Sequence, residues 1–224
     1  MLIGALTGRR VAALVLCPAV MAGLGGCGRT VDGSPVAGSG SRLDAILATK
    51  PLSELLVDRS LWPSDYPAAS GDAHEALGTI DGVPPGSHVE PADCQPPVPN
   101  EIVAMEGRRA DDTALRLVLA RGVGRLSARR DQVARCTSFA VNDSTGSWTV
   151  GANMLPPPIA GADDAFAVDL TQDGDGQHRA VVLVGQVGDV RVMAQAVGSG
   201  DEQVDTTGLD EIFTAQVLTL RHTG

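Results

Sequence analysis

The chain has 224 residues, of which 27 are acidic and 17 basic, for a formal charge of −10. A surface this acidic repels polyanions, so nucleic acid is excluded as an expected partner and binding to anionic head groups is disfavoured. Aromatic residues make up only 3% of the chain, too few for the stacking platforms on which bases and sugars are held.

The N-terminus carries an address. Arg9 and Arg10 precede an apolar run from Val11 to Leu24, and Leu24-Gly25-Gly26-Cys27 follows. A basic region, an apolar region and a small-residue cleavage site are the parts of a secretory signal. The apolar run is about 14 residues long, short of the roughly 20 that a spanning helix needs. The cleavage site resembles the lipobox of bacterial lipoproteins. That resemblance implies that residues 1–26 leave as a signal peptide and that the thiol of Cys27 becomes a thioether to diacylglycerol. The mature chain then keeps 15 basic and 27 acidic residues, a charge of −12. Residues 27–42 are dominated by Gly, Ser and Pro and read as a flexible tether. Residues 43–224 are long enough for one domain with a sizeable core. The expected location is the outer face of the plasma membrane, with the membrane as a partner through the lipid on Cys27.

Within that domain, residues 43–57 predict one or two short helical turns, the second opened by Pro51. Residues 61–70 are rich in turn formers and hold two of the few aromatics. Trp62 and Tyr66 are candidate ligand-binding residues, because pockets favour such side chains beside polar loops. The competing expectation is that they anchor the loop to the core. Residues 78–100, with prolines at 84, 85, 91, 96, 97 and 99, predict a long loop. Cys94 lies in it. Cys94 and Cys136 are the two cysteines after Cys27, and outside the cytoplasm two such thiols are expected to pair as a structural disulfide.

Alternating patterns then predict strands around residues 115–119, 136–141, 148–152, 166–170 and 190–196, and the continuous apolar run 180–184 predicts a central strand. A short helix over 126–135, with Ser127 as its cap, separates the first two. Residues 142–146 have hairpin-loop chemistry, and Gly188-Asp189 marks a tight turn. Leu209, Ile212, Phe213, Val217 and Leu220 recur at helical spacing near the C-terminus, with Thr207 as the expected cap. The pattern predicts an α+β fold: an antiparallel sheet of five or six strands, helices packed on one face, and one disulfide.

No catalytic motif emerges. The four histidines, His74, His88, His178 and His222, are scattered and form no zinc pattern. Asp173-Gly174-Asp175-Gly176 resembles part of a calcium loop, but neither register of that loop supplies the acid required at its twelfth position. A hairpin turn is the expectation there. Asp111-Asp112 and Asp163-Asp164 read as solvated charge rather than paired catalytic carboxylates. No metal and no cofactor are expected.

The lipobox and tether, the Trp62–Pro67 turn (WPSDYP), the Val89–Pro97 loop (VEPADCQPP) and a second cysteine opening a strand look like a group of small mycobacterial lipoproteins. Their domain is similar to the extracellular sensor domain of mycobacterial serine/threonine kinases. The resemblance spans about Leu43 to Thr223. It implies an α+β domain with a disulfide-braced antiparallel sheet and a ligand-binding cleft, and it carries no catalytic residues. The functional expectation is a non-enzymatic envelope module that binds or senses an unknown envelope small molecule or protein. The alternatives are an accessory lipoprotein acting through protein contacts and an envelope hydrolase with an unfamiliar site.

Overall fold

A computed structural model describes residues 39–173, 178–198 and 204–223. The signal, Cys27 and most of the tether lie outside the described residues. Helix α1 (Ser39–Thr49) begins inside the expected tether and buries Leu43 and Leu47. The short helix α2 (Leu52–Leu55) follows, opened by Pro51. Strand β1 (Ala68–Ser70), helix α3 (Ala73–Asp81), strand β2 (His88–Glu90) and strands β3 (Glu101–Arg108) and β4 (Ala114–Arg121) come next. Helix α4 (Leu126–Arg135) precedes β5 (Ser138–Asn142), β6 (Ser147–Leu155), β7 (Asp164–Asp173), β8 (His178–Val187) and β9 (Val190–Gly198). Helix α5 (Thr206–Arg221) completes the order.

The nine strands among the described residues join one antiparallel sheet in the order β1-β3-β4-β9-β8-β7-β6-β5-β2. The α+β class, the antiparallel sheet and the disulfide are as expected, but the strand count is higher. The six expected strands correspond to β4 through β9. The additional three are β3 and the two short edge strands, β1 and β2, each of three residues.

The expectation of helices on one face is also corrected. Leu115, Leu117, Leu119, Val181, Leu183, Val192, Ala194 and Ala196 pack in one cluster with α1, α2 and α5. Val118, Ala120, Val182, Val184 and Met193 point the other way and pack with residues of α3 and α4. The cause is visible in β8, where Ala180 through Val184 are all buried. Successive side chains of a strand face opposite sides, so an unbroken apolar run requires cover on both.

Helix α5 lays its apolar stripe on β8 and β9. Gly185 permits this approach, since a Cβ there would meet Phe213 Cζ at 2.8 Å. The polar residue within the stripe is fully used. Gln216 accepts from the Val57 backbone N–H at 2.8 Å and donates to the Leu55 carbonyl at 2.7 Å. The helix cap is Asp205, which accepts from the Gly208 N–H, in place of the expected Thr207. Helix α4 begins after Arg125 with no side-chain cap, so Ser127 does not serve as one.

Candidate functional site: an apolar cavity with a buried arginine

The two-residue period of β9 decides where its polar side chains go. Val190, Val192, Ala194 and Ala196 fill the face under α5, which leaves Arg191, Met193 and Gln195 facing α3 and α4. Gln195 is absorbed there: it donates to the Thr79 carbonyl in α3 at 2.9 Å and accepts from Arg116 at 3.2 Å. Arg191 has no such closure. It is 2% exposed, and among the described residues its guanidinium donates to the carbonyls of Val123 at 3.4 Å and Gly124 at 3.1 Å and to no others. Its Nε–H is buried without a partner. No carboxylate forms an ion pair with it among the described residues. Burial pulls the pKa of Arg191 down to about 10, the nearby charge of Arg129 adds to the fall, and Asp81 opposes it. The side chain is therefore still charged at neutral pH.

Arg191 borders a cavity of about 50 Å³ between the sheet and helices α3 and α4. The floor is apolar: Ala152 from β6, Phe166, Val168 and Leu170 from β7, Val182 and Val184 from β8, and Met193 from β9. Leu77 and Ile80 of α3 and Val133 of α4 complete the apolar wall. The other charged groups on the cavity, Asp81 and Arg129, form an ion pair at 2.6 Å with both side chains largely buried.

The disulfide closes the remaining side. Cys94, in a single 3-10 turn, joins Cys136 at the C-terminal end of α4 with a Cα–Cα distance of 5.6 Å, and both residues line the cavity. Gln132 reinforces the attachment by donating to the carbonyls of Asp93 and Gln95, each at 2.8 Å. The proline-rich loop is thereby held against α4 at two points.

Trp62 and Tyr66 lie in the cluster on the opposite face and are not part of this cavity. They are 6% and 1% exposed. The Tyr66 hydroxyl donates to Asp205 Oδ2 at 3.0 Å, and the Arg109 guanidinium lies 5.5 Å from the centre of its ring. Gly107 of β3 makes room for the pair, since a Cβ there would approach Tyr66 at 3.0 Å and Trp62 at 3.2 Å. In this arrangement the two aromatics anchor the turn to the core. Asp169, the first position of one calcium-loop register, is engaged in two hydrogen bonds from Arg179 at 2.8 and 2.9 Å. Residues 174–177 lie outside the described residues, between the antiparallel strands β7 and β8. Among the described residues no group of three or more potential ligands is placed to hold a metal ion.

Arg191 was not a candidate on sequence. A single arginine in an apolar alternating strand reads as an outward-facing charge. The available signal was the unbroken apolar run Ala180–Val184 of the neighbouring strand β8, which calls for cover on both faces of the sheet.

No protein-family model matches the chain, and no curated protein matches it. Solved structures do. An uncharacterised protein of Mycobacterium smegmatis, an Rv0999 ortholog, is similar over 76% of this chain and 95% of its own, with 15% identity and a TM-score of 0.46. The extracellular domain of PknH from Mycobacterium tuberculosis is similar over 81% of this chain and 91% of its own, with 12% identity and a TM-score of 0.43.

Proposed function

We propose that this chain is a lipid-anchored module of the cell envelope whose folded domain binds or senses a ligand in the cavity beneath α3 and α4, without catalysing a reaction. The observation that carries the reading is Arg191: a charged side chain 2% exposed, with an unpartnered N–H, on the edge of an apolar cavity. A buried charge without a counter-charge is costly, and such groups are maintained where they meet a ligand. The disulfide supports the reading because it braces the cavity wall, and pairing of cysteines fits an oxidising compartment outside the cytoplasm. The lipobox supplies the anchor, at Cys27.

Native mass spectrometry of the protein purified from its producing membrane tests both halves. The expected spectrum shows a chain starting at Cys27 with added acyl chains, a two-dalton gain on reduction, and a non-covalent adduct that leaves on activation. A chain starting at Met1 refutes the anchor. Loss of Arg191 without any effect on the adduct refutes the assigned site.

A further inference from the structure

We propose that the domain stands on the bilayer with one end of its sheet, where Val98, Ile159 and Leu218 enter the lipid interface; this rests on the lipid-anchor reading above. Three observations select that surface and that partner.

The first is where the exposed apolar side chains lie. Singly they are ordinary on a protein surface, whereas a group in one place marks a contact. Ile159 is 102% exposed, Val98 is 77% exposed and Leu218 is half-exposed. Ile159 follows three prolines, Pro156 to Pro158, in the loop between β6 and β7. Two residues on, the Gly161 carbonyl accepts from Arg221 at the end of α5, at 2.9 and 3.1 Å. Leu218 stands one turn of α5 beyond Thr214, which borders the same proline segment. Val98 lies between Pro97 and Pro99, and the nearby Asn100 N–H donates to the Arg121 carbonyl at the end of β4 at 2.9 Å. The end of β4 and the start of β7 are on the same end of the sheet. Leu61, also exposed, marks the other end, since its neighbour Trp62 packs on Gly107 near the β3–β4 hairpin. Met154 pairs with Val168 in mid-sheet. The prolines fix the backbone around Val98 and Ile159, so little chain entropy is lost when these side chains leave water.

The second is where the anchor enters. Asp44 and Leu47 of α1 lie against Gly188 in the β8–β9 turn, where a Cβ would meet them at 2.6 and 3.2 Å. The Gly188 N–H donates to Asp163, just before β7, at 2.8 Å. The end of α1 meets Arg121, which donates to the Lys50 carbonyl at 2.8 Å. The helix therefore crosses the end of the sheet that carries the three apolar residues. From Cys27 to Ser39 the chain can reach at most about 40 Å. The ten residues of β8 already span roughly 33 Å. With this end on the membrane the connection is slack, and with the opposite end down it must be drawn nearly straight, which costs conformational entropy.

The third is charge. The mature chain is acidic, but the acids beside these residues are met. Asp163 pairs with Arg221, Asp164 with Arg130, and Arg121 holds both Glu101 and Asp189. Arg42 of α1 and Arg125, which borders one groove with Pro97, are exposed and in no ion pair among the described residues. The contact is carried by apolar area, so neutral lipid suffices.

The lipidated chain, purified from its producing membrane, is reconstituted into vesicles of phosphatidylcholine brominated in the acyl chains. The vesicles are floated, and tryptophan emission is read against wild type, which supplies the background from Trp62 and Trp148. Ile159→Trp is expected to shift to shorter wavelength and to lose most of its added emission, while Leu61→Trp keeps its own. Adding Val98→Asp and Leu218→Asp to Ile159→Trp is expected to restore the emission with the chain still on the vesicles. An unquenched Ile159→Trp on floated vesicles overturns the orientation and leaves the anchor standing. Equal quenching of Ile159→Trp and Leu61→Trp shows that neither end is preferred and also overturns it. A shift that ignores bromine and grows with the protein-to-lipid ratio assigns the three residues to a second copy of the chain, with the same consequence. Absence of the chain from the floated vesicles refutes the lipid anchor as well.

Discussion

Replacing Arg191 by Met is expected to stabilise the ligand-free protein. The pKa of this side chain falls on folding to about 10, a change whose first cause is loss of water around the charge. At about 1.4 kcal/mol per unit, the charged state is disfavoured by about 3 kcal/mol. Methionine has no charge to desolvate and fills comparable space. Against this, the Val123 and Gly124 carbonyls lose their donor, which costs about 2 kcal/mol in total. The net expectation is a gain of about 1 kcal/mol, or a rise of about 2–4 °C in Tm for a domain of this size. Urea denaturation of wild type and variant at neutral pH measures it. The pH dependence supplies an internal check. Below pH 10 both folded and unfolded wild type hold the proton, and the full penalty applies. As pH rises above about 10, the folded state gives up the proton while the unfolded state still holds it, so stability of the wild type recovers relative to the variant. A loss of more than about 2 kcal/mol in Arg191→Met refutes the reasoning, because such a loss means that the arginine is a satisfied structural group.

Three further outcomes are expected. Replacing Cys94 and Cys136 together with Ala opens a loop of sequence separation 42 and should cost about 4 kcal/mol by denaturant unfolding, with a matching loss on reduction of the wild type. Gln216→Leu orphans the Val57 N–H and the Leu55 carbonyl, both buried against α5, and should cost roughly 2–4 kcal/mol; a neutral result shows that α2 re-pairs elsewhere. Acid sensitivity follows from Asp58, Asp72, Asp111 and Asp143, each held below the ordinary aspartate value of 3.8 chiefly by hydrogen bonds from nearby backbone N–H and hydroxyl groups. Their folded pKa values are depressed, so their stabilisation is complete above pH 3.8 and is lost as pH falls through the folded values. NMR titration of the Asp72 carboxyl checks this, and a midpoint at or above 3.8 contradicts it.

Much of the architecture was legible along the chain. Six strands, the helix over 126–135, the C-terminal helix and the Cys94–Cys136 pair all follow from alternation, helical spacing and cysteine arithmetic. Helix α3 was missed although its signals are present. Asp72 caps it and Glu75 stands three residues on, Ala76 and Ile80 are buried four apart, and Gly82 closes it in the left-handed region at φ +69°. Pro84 and Pro85 follow directly and give the segment a loop-like composition. In strand β3, Glu101, Glu106 and Arg108 dilute the apolar alternation that marks the other long strands. Pairing with β4 brings Arg121 to Glu101 and Arg116 to Glu106, while Arg108 meets Glu106 two residues away in the same strand.

Local pattern thus determined which segments alternate, which spiral, where the chain turns and which thiols were free to meet. Those properties depend on residues a few positions apart. The site depends on residues far apart in the chain: Arg191 meets the carbonyls of Val123 and Gly124, Asp81 meets Arg129, and Cys94 meets Cys136. Only the tertiary structure decided that α3 and α4 are the elements covering the face that carries Arg191, and that cover is what removes water from it. A strand's own sequence specifies that residue 191 faces away from residue 192. Whether solvent or a helix waits on that side is settled by α3 and α4, which lie elsewhere in the chain.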